Sequence, residues 1–329
     1  MPLTRPLRLA AALAAAALLS AGLAGCSAKE PGGCTPGATA GSGSDSVKAA
    51  GAFGTTPTIS FSTPLHVSST EVSTLIPGSG AGIVPGQELV ADLTILDGTT
   101  GKVVTKTDYT GKADATGSTG PATIVVGKSL PSEGLRKALL CAQPGERLAA
   151  VLPPNQGFVP GSLGAGVATS DSVVVVVDVR KTYLARANGT NQVMGDGLPA
   201  VVLGPDGRPG ITIPAAPAPK KLVVADLKKG SGAVLKKGDT AVVHYTGVLW
   251  DPNKTVFDST WKNGAPTALP LKTGSGGVVK GFVSALAGQR VGSQVLAVLP
   301  PSEAYGATGS GSVPGNATLV FVVDILGKA

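Results

Sequence analysis

Side chains able to do covalent or acid–base chemistry are scarce in this sequence. Its 329 residues hold two histidines, His66 and His244, and three cysteines, Cys26, Cys34 and Cys141. No pair of them has CxxC or HxxxH ligand spacing, and GxSxG, GxxxxGK[ST] and HExxH are absent. The expectation is chemistry with no metal, no cofactor and no covalent intermediate. His66 sits in a Pro/Ser-rich stretch and carries no signal. His244 precedes Tyr245 on a strand-like run, and alternation sends the two to opposite faces, so His244 reads as a packed or hydrogen-bonded residue.

The aromatic residues are more informative. There are 12 in the chain, and seven of them (Tyr245, Trp250, Phe257, Trp261, Phe282, Tyr305, Phe321) fall within 222–329. Residues 55–182 contain only Phe61, Tyr109 and Phe158. Two segments of similar size need similar cores, and the first builds one from Val, Leu and Ala. The surplus rings in the second therefore point to an apolar pocket.

The elements that must position these rings are strands. Charged residues make up 14% of the chain, with 47 Gly and 26 Pro, which excludes a coiled coil and argues against long helices. Ala241–Tyr245, Gln294–Leu299 and Ala317–Leu326 read as strands, and Gly281–Ala287 as a short helix ended by Gly288. Residues 134–158 align without gaps on 281–305, and nine of those 25 positions are identical, among them Gly134/Gly281, Gly145/Gly292 and Pro153-Pro154/Pro300-Pro301. This is an internal duplication of domain size. The expected fold class is α+β: two domains, each an antiparallel sheet curled over a short helix, joined by a Pro/Ala-rich linker. The expected boundaries are 51–183 and 222–329, with a flexible tether over 26–50 and the linker over 184–221.

The second copy resembles the FKBP-type peptidyl-prolyl cis-trans isomerases. The resemblance is carried in order by Val242-Val243-His244-Tyr245-Thr246-Gly247, Phe257-Asp258-Ser259, Val278-Val279-Lys280-Gly281-Phe282, the PPSEAYG run Pro300–Gly306 and the ATLVF run Ala317–Phe321. It implies a catalytic pocket walled by Tyr245, Phe257 and Phe321, floored by Phe282, edged by Asp258, with the Tyr305 hydroxyl meeting a substrate carbonyl. It implies substrate contacts from Val278, the Val279 amide, Trp261 and Val313, the last within a mobile Gly306–Gly315 loop. The implied partners are proline-containing unfolded or extended polypeptides. Phe282 in place of a Trp floor, and Thr267 at an aromatic wall position, predict weaker macrolide binding than is typical. The first copy has Leu93, Leu135, Phe158 and Val175 where the second has Tyr245, Phe282, Tyr305 and Phe321, so it resembles a degenerate family domain without activity. The alternative function is a non-catalytic client-binding chaperone or scaffold.

Residues 1–25 carry Arg5 and Arg8 and then an apolar run from Leu9 to Leu23, the layout of a secretory signal. Its end, Leu23-Ala24-Gly25-Cys26, resembles a bacterial lipobox, which implies lipidation of Cys26 and a place on the extracytoplasmic face of the cell membrane. Cleavage there leaves Cys34 and Cys141, which can pair outside the cytoplasm. The formal charge of +7 comes with Lys pairs at 220–221, 228–229 and 236–237. No aromatics interleave with them, so they read as solvated surface and not as a nucleic-acid site.

Overall fold

Along the chain, short helices are few and strands many. The computed structural model describes residues 34–111, 120–159, 161–163, 167–251 and 255–329; the signal segment and Cys26 lie outside these. In the first half come α1 (Ser42–Ser46), β1 (Lys48–Ala50), β2 (Thr58–Ser60), β3 (Glu71–Ile76), β4 (Glu88–Asp97), β5 (Val103–Lys106), β6 (Ala122–Val125), α2 (Glu133–Leu139), β7 (Arg147–Leu152) and β8 (Val173–Thr182). After them come β9 (Thr190–Asn191), β10 (Ala200–Leu203), β11 (Pro209–Thr212), β12 (Val223–Lys229), β13 (Thr240–Leu249), β14 (Val256–Ser259), β15 (Thr267–Pro270), α3 (Lys280–Leu286), β16 (Gln294–Leu299) and β17 (Leu319–Lys328).

The two halves form sheets with one plan. The first has the order β3-β7-β8-β4-β5, with β6 also on β4; the second has β12-β16-β17-β13-β14, with β15 also on β13 and β9 beyond β12. Every pairing within them is antiparallel. In each, one short helix covers the concave face. The helix can approach closely because its second residue is glycine: a Cβ on Gly281 would lie 2.7 Å from Leu299 Cγ.

Each sheet is apolar on both faces, which explains its Val-rich central strands. On the helix side of the second sheet, Ala241, Val243, Phe282, Leu286, Val295, Leu299, Phe321 and Val323 form one core. On the other side Val248, Leu296, Val298, Val320 and Val322 need a separate cover. The segment 194–213 supplies it through Met194, Leu198, Val201, Ile211 and Ile213, with β10 and β11 forming a hairpin. The first sheet is covered in the same way: Val47, Ala49, Ile59, Phe61 and Leu65 lie over Leu96, Ala149, Val151, Val174 and Val176, with β1 and β2 as the hairpin.

This corrects two boundaries. Residues 34–50 are folded structure, not free tether, and 184–221 is a sheet cover more than a linker. Both segments were read from their Gly, Pro and Ala content, while their sparse apolar residues are what pack. Residues Cys34–Ala329 are one compact unit. The two sheets meet around Tyr183, which packs against Val242, Leu326 and Val90, while Leu184 N donates to Leu326 O at 3.0 Å. Cys34 and Cys141 form a disulfide with Cα atoms 5.5 Å apart, fastening the start of the described chain beside α2.

The covers are pinned through buried polar groups. Arg147 and Asp178 are both fully buried and pair at 2.5 Å; Arg147 also donates to Gly51 O at 2.8 Å and Ala52 O at 3.0 Å, and Gly54 N donates to Asp178 Oδ2 at 2.6 Å. At the equivalent place in the second sheet, Gln294 Nε2 donates to Asp324 Oδ1 at 2.6 Å and Ala187 N to Asp324 Oδ2 at 2.8 Å. Burial raises the Asp324 carboxyl above the usual carboxylate range, whereas Arg147 answers Asp178 with a full charge.

Candidate functional site

On its helix side, the second sheet opens into a cavity of about 350 Å³ lined by Tyr245, Phe257, Asp258, Leu269, Gly274, Gly277, Val278, Val279, Phe282, Tyr305 and Phe321. Alternation along β13 turns Val243 and Tyr245 toward α3 and His244 away. Phe321 stands on β17 opposite Gly247 of β13. That glycine has a role: a Cβ there would lie 2.5 Å from Phe257 Cζ and 3.0 Å from Phe321 Cε1. The missing side chain makes the volume that the two rings occupy.

The rings hold one another edge to face. Phe321 lies 5.3 Å from Phe282, 5.5 Å from Phe257 and 6.0 Å from Tyr245, at interplanar angles of 82°, 88° and 60°. Such pairs each contribute about 0.5–1.5 kcal/mol beyond area burial. Phe282 and Phe321 are buried, so their positions are set by the core, while Tyr305 is 39% exposed at the rim. The Tyr245 hydroxyl donates to Asp258 Oδ2. Burial, then the Asp258 bond and charge, push the Tyr245 hydroxyl well above its ordinary value, so it stays protonated and fixes the carboxylate. Val278 N donates to Lys272 O at 2.9 Å, closing the loop before α3. The Val279 N–H has no protein acceptor among the described residues.

The cavity thus brings together Tyr245, Phe257, Asp258, Phe282, Tyr305, Phe321, Val278 and Val279, eight of the sites expected from sequence. Two do not join them. Val313 is buried in the core, because its backbone closes a tight turn with Ser310 at 2.9 Å in both directions. Trp261 lies in the helical turn Thr260–Lys262 after β14 and stacks on His244, with centroids 4.1 Å apart and planes at 21°, on the opposite face of β13. Thr267 is not a wall either; Leu269, two residues along β15, lines the cavity in its place. The sequence pattern offers no sign of Leu269, and it places Gly247 in a motif without a role, although a glycine inside a strand is itself a sign of close approach.

Among the described residues at the corresponding place in the first sheet, aliphatic side chains stand where the second has rings. Leu93 stands opposite Val177 as Tyr245 stands opposite Val323, and Val175 faces Ile95 where Phe321 faces Gly247. Leu93, Ile95, Leu135 and Val175 pack into one continuous core.

Behind the cavity, His244 is buried, with Nδ1 2.9 Å from Thr260 Oγ1. Burial lowers its pKa to about 4 from an ordinary 6.5, so the folded protein holds the neutral ring. Between pH 6.5 and about 4 the unfolded chain binds this proton and the folded one does not. Stability from this group is therefore complete above pH 6.5 and lost as pH falls toward 4, by up to about 3 kcal/mol. Denaturant melts across that range should show this extra loss in the native chain relative to His244→Gln.

A family model described as FKBP-type peptidyl-prolyl cis-trans isomerase matches residues 232–326, the stretch that builds this cavity. The chain is 36% identical over 119 residues to a probable FK506-binding protein of Corynebacterium glutamicum, covering 36% of this chain and 97% of that one. It is 34% identical over 122 residues to an FK506-binding protein of Streptomyces anulatus, covering 36% of this chain and 95% of the relative. With FK506-binding protein 1 of Dictyostelium discoideum it shares 41% over 101 residues, 30% of this chain and 91% of the relative. By sequence and by the site that this sequence folds into, the chain belongs to the FKBP-type peptidyl-prolyl cis-trans isomerase family.

Proposed function

We propose that this isomerase accelerates proline-limited folding of exported polypeptides from a lipid anchor at Cys26, on the outer face of the cell membrane, with catalysis confined to the second sheet. The first sheet is then a degenerate family domain that has kept the plan and lost the pocket. The observation that carries the reading is the ring cage with Asp258 held at its edge by Tyr245. The signal-like layout of residues 1–25 and the Cys34–Cys141 disulfide, a bond that persists chiefly in oxidising compartments, support the location.

The chemistry needs no nucleophile. An X–Pro bond exchanges in tens to hundreds of seconds because rotation breaks amide resonance. In the rotated state the nitrogen no longer feeds the carbonyl, whose oxygen carries less negative charge. Phe282, Phe257 and Phe321 offer that less polar amide a dry cavity, which disfavours the planar, more polar form relative to it. Asp258 acts in the same direction, since a fixed carboxylate repels the oxygen of the planar amide more than that of the twisted one. The Val279 N–H and the Tyr305 hydroxyl hold the flanking peptide carbonyls. Reaching milliseconds requires about 10⁴–10⁵-fold, or about 5–7 kcal/mol, within reach of desolvation together with these electrostatic terms. A Phe floor and a Leu269 wall leave a looser fit for a rigid macrolide than for a peptide.

In exchange assays on a proline peptide with the full chain, Asp258→Ala should lower kcat/KM about 10-fold, equal to about 1.4 kcal/mol, and Tyr305→Phe should lower it by less. Unchanged rates in both folded variants would remove these roles, and a folded native chain that accelerates nothing would remove the function.

A further inference from the structure

Trp261 and His244 are left over from the isomerase site, and they share a second cavity. It measures about 320 Å³ and lies on the opposite face of β13, between the two sheets, lined by Val84, Pro85, Gly86, Ala185, Arg186, Asp206, His244, Trp261 and Gly264. It exists only because the first half of the chain and the β10–β11 turn come together behind the catalytic strand. Its size falls in the range of small-molecule sites.

The polar groups in it are specific. His244 is 4% exposed, and its Nε2 has no protein partner among the described residues. Thr260 Oγ1 accepts the Tyr245 N–H at 2.9 Å, so its own hydrogen must choose between His244 Nδ1 at 2.9 Å and Tyr245 O at 3.3 Å. Placed on Tyr245 O, it leaves His244 Nδ1 to donate to Thr260; placed on Nδ1, it makes that atom an acceptor. A neutral ring that accepts at Nδ1 carries its proton on Nε2 and donates from there. Arg186 makes one long bond, Nη1 to Pro205 O at 3.4 Å, and its charge also acts on the buried carboxyl of Asp324, the cross-strand partner of His244. Asp206 uses Oδ1 for the Arg208 N–H at 3.1 Å. The remaining wall is apolar: Val84, Pro85, Ala185 and the edge of Trp261.

We infer that Thr260 donates to His244 Nδ1, leaving the proton on Nε2, and that this cavity is a binding site for a small monocarboxylate with a compact apolar body, its carboxylate taken by His244 Nε2–H and the Arg186 guanidinium. Asp206 sets the charge limit. It disfavours a dianion, and it tolerates an ammonium group beside the carboxylate, so free acids and amino acids are both admitted while phosphate is not.

The full chain labelled with ¹⁵N-histidine gives two imidazole spin systems, one of them His244. Titration with isovalerate and with leucine should shift the His244 Nε2–H resonance saturably, with Kd in the ~0.1–10 mM range expected for a ligand of this size. Isovaleramide, the neutral isostere, should bind at least about 10-fold more weakly, as should isovalerate to Arg186→Ala. Inorganic phosphate should not saturate the shift. The proposal is overturned if Nε2 is unprotonated in the free protein, if neither acid gives saturation, if the amide binds as well as the acid, or if phosphate binds as well as isovalerate. None of these readings depends on isomerase activity, so the isomerase assignment stands or falls separately.

Discussion

Gly247→Ile is expected to reduce kcat/KM for a prolyl peptide by about 100-fold or more while the protein remains folded. At the matching point of the first sheet the residue facing Val175 is Ile95, buried in the core with Leu135 and Leu152. In the second sheet even one carbon at 247 would meet Phe257 at 2.5 Å and Phe321 at 3.0 Å, so both rings must leave their present places. They can move only into the cavity, which they would fill. Overpacking of this kind costs about 1–3 kcal/mol of stability, a minor part of a domain's total, whereas about 2.7 kcal/mol on the barrier is 100-fold in rate. Steady-state exchange kinetics alongside a thermal melt separate the two effects. A folded Gly247→Ile chain with native kinetics would mean that the ring positions do not matter.

Arg147→Ala is expected to destabilise the chain by about 3–5 kcal/mol, read as a lower denaturant midpoint. The ion pair itself contributes little net energy, because burying two charges offsets their attraction. The loss comes from what is left behind: Asp178, fully buried, with no cation, and the carbonyls of Gly51 and Ala52 without their donor. The cover over the first sheet should loosen with it. Arg147→Gln should be milder, since it rebuilds the arrangement of Gln294 and Asp324, which the second sheet already tolerates. Equal losses in the two variants would contradict this account.

Much of the site could be read from the sequence because its parts lie on regular elements. Tyr245 and His244 are adjacent on a strand, so period-two alternation alone separates the cavity face from the rear face. Phe282 sits on the apolar side of a short helix bounded by Gly288. Phe321 falls in an unbroken apolar strand. The misplacements occur where periodicity ends. Trp261 follows Thr260 into a single helical turn, which rotates it behind the sheet, and Val313 sits in a tight turn whose side-chain direction no alternation rule supplies. Gly247 was legible only as an oddity within a strand.

The covers were harder to read for another reason. A sheet that is apolar on both faces announces that something must lie on each, but not which segment does so. Val47, Ile59 and Phe61 in one case, and Met194, Val201 and Ile211 in the other, are isolated apolar residues in stretches dominated by Gly, Pro, Ser and Ala. Composition marks such stretches as tethers. Their order comes from long-range contacts, including the Cys34–Cys141 bond and the buried Asp178 and Asp324, each accepting one backbone N–H from its own cover.

The central claim is that a prolyl amide rotates inside the ring cage of the second sheet and not in the first. Its most direct test is two-dimensional exchange NMR of a proline peptide with the ¹⁵N-labelled full chain, following peptide exchange and protein amide shifts in one sample. The account predicts accelerated cis–trans exchange, with amide shifts at Val279 and around Asp258 and Tyr305. Accelerated exchange with shifts centred on Leu93, Leu135 and Phe158, or no acceleration by a folded chain, would contradict it.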